Sequence, residues 1–229
     1  MFKLQTEYLT EQYIFEKLTA EGSNYDYDYF WTHFQYELCE QTASFDIIIN
    51  GEIILGSSLS QLALPHNQFI RDFNNAIFNL LKNSEGVFEV HSMPYVGNSV
   101  GNVAIIMKLC DLRTVAFYLK INKKPYNSLS DSKELNGQTA SLYQVVEEFL
   151  DLKAFYCSIF INVITKLAKP EEKDYMLNLA LRRDWLPLEQ AWADYKKQHN
   201  ITDENVKKVI AAEEAKEKKM IKQWWQVWK

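Results

Sequence analysis

Asn50-Gly51 stands between two runs rich in β-branched and apolar residues, 45–49 and 52–55. A type I′ turn requires positive φ at both central residues, which Asn and Gly tolerate. The segment therefore predicts a β-hairpin. It also fixes where strands begin, because the stretches on either side read as helix. Residues 6–21 have helical spacing and stop at Gly22, a natural C′ position. Over residues 28–42, Phe30, Trp31, Phe34 and Leu38 recur three and four apart and make one apolar face.

The helical period returns at 67–82, with Phe69, Phe73, Ile77, Leu80 and Leu81 on one side. Three strand candidates follow at 87–91, 103–110 and 114–121. In the last of these, Val115, Phe117, Leu119 and Ile121 alternate with Ala116, Tyr118 and Lys120, as in a sheet with one buried face. Asp111-Leu112-Arg113 is short enough to make the last two strands a hairpin, and 123–136 reads as loop. Helices are expected over 139–168, 171–183, 187–198 and from 203 to near the terminus. Pro187 suits a first turn, and Thr202 suits an N-cap with Asp203 and Glu204 behind it. Helices, then strands, then helices define an α+β fold rather than alternating βαβ units. The expectation is an antiparallel sheet of about five strands within 45–121. A core domain over 1–168 carries it, and a helical region over 169–229 packs on that core or mediates association.

An apolar content of 47% suffices for a core, and the net charge of −5 opposes general nucleic-acid binding. Cys39, Cys110 and Cys157 are widely spaced, odd in number and in apolar contexts. They predict buried free thiols in a reducing cytoplasm rather than a disulfide framework. The N-terminus lacks the basic and apolar stretches of a secretion signal. The longest uncharged apolar run, 154–165, is too short to span a bilayer and reads as a buried core helix.

Catalytic chemistry finds little support. The loop 97–102 lacks the spacing and the Lys-Ser/Thr of a phosphate cradle. His33, His66, His91 and His199 make no metal-ligand spacing with one another or with cysteine, so neither a metal nor a cofactor is expected. Glu89, His91, Asp46 and Asp111, with Lys108 or Lys120, would form a metal-dependent nuclease site only by converging on one ion. Cys110 beside Asp111 has no marked base, and its place at the end of an apolar strand favours packing.

Charge is distributed very unevenly. Residues 1–60 hold ten acidic residues against Lys3 and Lys17. Within them, Tyr25, Asp26, Tyr27, Asp28 and Tyr29 alternate aromatic and acidic character, and Glu37 and Glu40 extend the field. One reading packs the aromatics on the core and uses Asp28 as an N-cap. The other presents an acidic, aromatic surface to a basic partner, where tyrosine supplies contact area and charge speeds encounter. The opposite end of the chain carries Trp224, Trp225 and Trp228 behind a polar stretch. That tip folds back on the core or pairs two protomers. A membrane contact is set aside, because the arm as a whole lacks the continuous apolar face of an interfacial helix.

The reading that follows is a non-catalytic cytoplasmic binding protein that neutralises a basic protein partner, a toxin or a nuclease. It would act in the manner of an immunity protein, an antitoxin or a phage-encoded inhibitor. Direct nucleic-acid binding and membrane association are not expected, and a homodimer through the C-terminal arm is an open expectation. The alternatives are a metal-dependent nuclease using sheet carboxylates and an assembly protein that oligomerises through its C-terminal helices.

Overall fold

The computed structural model describes residues 1–7, 42–55, 64–90, 102–122, 136–168, 170–181 and 185–227. The fold is α+β, with eight strands and five helices among these residues. The strands are β1 (Phe2–Glu7), β2 (Thr42–Ile49), β3 (Glu52–Leu55), β4 (Leu64–Pro65), β5 (Glu85–Val90), β6 (Asn102–Leu109), β7 (Thr114–Asn122) and β8 (Asn136–Ser141). The helices are α1 (His66–Asn83), α2 (Leu142–Leu167), α3 (Pro170–Leu181), α4 (Leu188–Gln198) and α5 (Asp203–Val227).

The strands form two four-stranded antiparallel sheets, not one sheet of about five. In the first, β2 lies between β1 and β3 and also pairs the short β4 through Thr42 and Ala43. The second is a meander, β5-β6-β7-β8. Three strands are not expected from sequence: β1, the two-residue β4 and β8. β1 is short and carries only Phe2 and Leu4 as buried apolar residues. β8, Asn-Gly-Gln-Thr-Ala-Ser, is nearly all polar. Each is a strand because a neighbour supplies its ladder: β1 runs along β2 from Phe2↔Ile49 to Glu7↔Ser44, and β8 lines the edge of β7. The expected helices 6–21 and 139–168 accordingly lose residues 6–7 and 139–141 to strands, and Thr42 opens β2 rather than closing a helix. The remainder of 6–21 and 28–42 lies outside the described residues.

The central hairpin forms as expected, with Asn50 at φ 53° and Gly51 at φ 82°. Its turn is tied to both ends of the architecture. The N-terminal amine donates to Asn50 Oδ1, and Asn50 Nδ2 donates to the Thr139 carbonyl of β8 at 3.3 Å. The two sheets are thereby joined at the β2–β3 turn.

Between and across the sheets lies one aromatic core. Phe2 of β1 stacks on Phe117 of β7 with centroids 5.7 Å apart. Phe73 of α1 meets Phe88 of β5 edge-on at 5.2 Å and Phe149 of α2 at 5.3 Å. Such offset and edge-on pairs are the favoured aromatic geometries. Phe69, Phe73, Ala76, Ile77 and Leu80 all point from α1 into this core, which is what their spacing demands. Helix α1 can press this closely on β5 because of Gly86, where a Cβ would stand 2.0 Å from the Ala76 carbonyl oxygen.

Helix α2 was expected to be buried through 154–165. It is instead two-sided. Tyr156, Ile159, Val163 and Ile164 are buried, whereas Phe155 is 48% and Ile161 39% exposed. One face packs on the body and the other does not, so an uncharged run there marks a helix half in and half out. Helix α4 adds Leu188, Ala191, Trp192 and Tyr195 to the same continuous core. Helix α5 begins on the Thr202 cap, whose Oγ1 accepts the Asn205 N–H at 3.2 Å, and inserts Val206.

Candidate functional site

The acidic, aromatic residues singled out by sequence, Tyr25, Asp26, Tyr27, Asp28, Tyr29, Glu37 and Glu40, lie outside the described residues. What the structure supplies is their frame. β1 ends at Glu7, and its register places Glu7 opposite Ser44 near the start of β2. Residues directly opposite in an antiparallel pair have Cα atoms about 4.5–5.5 Å apart. The segment 8–41 therefore leaves and re-enters the body at one end of one ladder. It carries Glu11, Glu16, Glu21, Asp26, Asp28, Glu37 and Glu40 against a single Lys17. Its anchor is firm, because Phe2 and Ile49 at the far end of that ladder are fully buried. The Phe2 N–H also donates to the buried Gln144 Oε1 at 3.1 Å.

The sheet carboxylates proposed for metal chemistry do not converge. Glu89 pairs Ala104, whereas Asp111 lies beyond the other end of β6, in the turn to β7. Seven residues separate positions 104 and 111, which at about 3.3 Å each along a strand is roughly 20 Å. Asp111 Oδ1 is used within its own turn, accepting the Arg113 N–H at 2.7 Å. Lys108 faces Glu85 at 3.0 Å. Asp46 belongs to the other sheet, and His91 lies outside the described residues. Among the described residues, no group of three or more His, Cys, Asp or Glu side chains could hold a metal.

Cys110 is exposed, not buried as its apolar flank suggests. β6 ends at Leu109, and the Cys110 N–H closes the turn onto the Thr114 carbonyl at 2.9 Å. Its side chain thus belongs to a turn rather than to the strand's packed face. Cys157 is half-buried and free, and burial, with Lys153 opposing, pushes its thiol up from the ordinary range. Cys39 lies outside the described residues.

One polar cluster was not foreseen. Lys153 is 8% exposed on α2, yet its ammonium donates to Asn74 Oδ1 of α1 at 3.0 Å and to Glu189 Oε1 of α4 at 2.7 Å. It also lies over the Trp185 ring at 5.1 Å. Asn74 is fully buried and donates to the Leu186 carbonyl at 2.9 Å, while Asn75 Oδ1 accepts the Leu186 N–H at 3.1 Å. A buried ammonium is tolerated when acceptors and an aromatic face replace its water. Here the donor on α2 reaches acceptors on two other helices, so the cluster fastens α1, α2 and α4 together. An amine committed to a carboxylate, an amide and a ring is a clamp rather than a nucleophile. The sequence signal for it is the single lysine that opens the apolar run 154–165.

Next to the clamp, the Trp192 indole donates to Glu147 Oε1 at 2.8 Å. Its ring is continued by Tyr195 at 5.8 Å and then His199. Glu148 on the same helix is raised above the ordinary glutamate value by partial burial, with Lys3 opposing and Asp151 and Glu214 reinforcing. Trp224 and Trp225 fall in the final turns of α5, and Trp228 lies outside the described residues. Among the described residues, no helix is long and apolar enough to cross a membrane.

Comparison of the chain with models of known families, with curated proteins and with solved structures gives no match.

Proposed function

We propose that this protein is a non-catalytic binder that neutralises a basic protein partner, a toxin or nuclease, through the acidic and aromatic segment between β1 and β2. The observation that carries the reading is the charge of that segment: seven carboxylates against one lysine over 8–41. The segment is held at both ends by the β1–β2 ladder, and binding residues are often carried on segments that a rigid scaffold positions. Tyr25, Tyr27 and Tyr29 offer broad contact area at low entropic cost, and Asp26 and Asp28 between them set the sign of the partner. A single-sign field of this kind steers a basic protein into encounter before contact.

The test is capture from the native host with the full chain as bait, followed by assay of what is captured. The reading expects a basic protein whose own activity falls when this chain is added in equal amount. Hydrolysis of DNA or RNA by this chain with Mg²⁺ or Mn²⁺, lost in Glu89→Gln or Asp111→Asn, would overturn it in favour of a nuclease.

A further inference from the structure

We propose that the outward face of α2 is a dimer interface, on which a second copy of this chain docks antiparallel about Ser158. Ala154, Phe155, Ser158, Ile161, Asn162 and Thr165 are all exposed. At about 100° per residue they share one continuous arc of the helix. Tyr156, Ile159, Val163 and Ile164 take the remaining arc and are buried against the body. No charged residue falls anywhere in 154–165. The outward faces of α4 and α5 are built differently. There Glu189, Asp194, Lys197, Lys207 and Lys208 stand in water, as is usual for the solvent side of a helix. The α2 arc instead leaves two large apolar side chains, Phe155 and Ile161, exposed on an uncharged surface, the composition of a contact face.

Charge and symmetry identify the occupant. Asp151 and Lys166 lie on the same exposed arc, one at each end of the uncharged stretch. A parallel copy would set Asp151 beside Asp151 and Lys166 beside Lys166. An antiparallel copy sets Asp151 of each chain beside Lys166 of the other, and a two-fold contact makes that pair twice. With the axis at Ser158, Phe155 of one copy meets Ile161 of the other, and Ala154 meets Asn162. Ser158 suits the axis. It is small, so the helices can approach closely. Its hydroxyl donates to the Phe155 carbonyl of its own helix at 2.7 Å, so covering it strands no donor. Asp151, Phe155, Ser158, Asn162 and Thr165 follow the four-three spacing of helices packed side by side. The pairing is made without residues of 8–41 and is independent of what that segment binds.

The experiment is particle mass by sedimentation of the full chain over a wide range of concentration, with melting temperature as the control for folding. The expected result is a mass that doubles as concentration rises. Ile161→Arg should hold the chain at single mass with unchanged melting, because the position is exposed. Asp151→Lys should weaken dimerisation about tenfold, and adding Lys166→Asp to it should restore association. Ser158→Cys, in a chain that also carries Cys110→Ser, should cross-link to a dimer under oxidised glutathione. Helix axes in contact stand about 8–10 Å apart and each Cα lies about 2.3 Å off its axis, which leaves the two copies of position 158 roughly 4–5 Å apart, within disulfide reach. Three results would overturn the proposal: single mass at every concentration, a dimer that Ile161→Arg leaves intact, or a dimer in which Ser158→Cys forms no cross-link.

Discussion

Lys153 is held from two sides of very different wetness. The side chain of Glu189 is 60% exposed, whereas Asn74 is fully buried. An exposed partner contributes little, because water replaces it at low cost. Losing the buried amide leaves an ammonium and a backbone carbonyl without their partner, which is costly. Glu189→Gln should therefore cost within about 1 kcal/mol, and Asn74→Ala about 3 kcal/mol, in denaturant unfolding. Equal losses would mean that the cluster is not the clamp described. Glu148 gives a test with the opposite sense. Its folded-state value lies above the ordinary 4.5, so its contribution is fully present below that pH. The contribution is lost as pH rises through the folded value, because the buried carboxyl must then ionise. Glu148→Gln should accordingly raise the melting temperature at neutral pH and leave it nearly unchanged below the ordinary glutamate range. A variant that is less stable at neutral pH would show that the Lys3 attraction outweighs burial.

At the scale of elements, the tightest junction is α1 on β5. Gly86→Ala would drive a methyl group into the Ala76 carbonyl, a backbone atom that cannot swing aside. The expected loss is about 3 kcal/mol or more, seen as a large drop in denaturation midpoint. A near-neutral result would mean the helix stands further off the sheet than the structure places it. The elements that sequence reveals are those that carry their own signal. The Asn50-Gly51 hairpin, the amphipathic α1, the β6–β7 pair and the Thr202 start of α5 all do so. β1 and β8 do not. Their strand state comes from ladders offered by β2 and β7, and a six-residue polar stretch such as 136–141 has no periodic apolar pattern to show it. For the same reason one sheet was expected where there are two. The Lys153 cluster is equally hidden, since its two acceptors are separated by 115 residues, from Asn74 to Glu189. Spacing along the chain cannot report a contact that only tertiary packing creates.

At the scale of the whole molecule, charge is spread unevenly along the chain. The aromatic core is built by β1, α1, β5, β7, α2 and α4, with Lys153 as its one buried cation among the described residues. The unbalanced negative charge is gathered in 8–41, an excursion sprung from the end of the β1–β2 ladder. Positive charge without acidic company falls in two stretches, Arg113, Lys120, Lys123 and Lys124 within 112–130, and Lys218, Lys219 and Lys222 at the end of α5. The proposed binding surface carries its charge outside the core, and exposed sites tolerate substitution. The reversal Asp26→Lys with Asp28→Lys should therefore spare the unfolding midpoint to within about 0.5 kcal/mol, as for exposed sites. A large fall in melting temperature would instead assign Asp28 the capping role that its position before 28–42 allows. The most direct measurement of the account is the association rate of the captured basic partner with the full chain across a range of salt. Steered encounter predicts a fast rate at low ionic strength that falls steeply as salt is added, and a slower, flatter dependence for the Asp26→Lys, Asp28→Lys variant. Identical rates and identical salt dependence for the two proteins would contradict it.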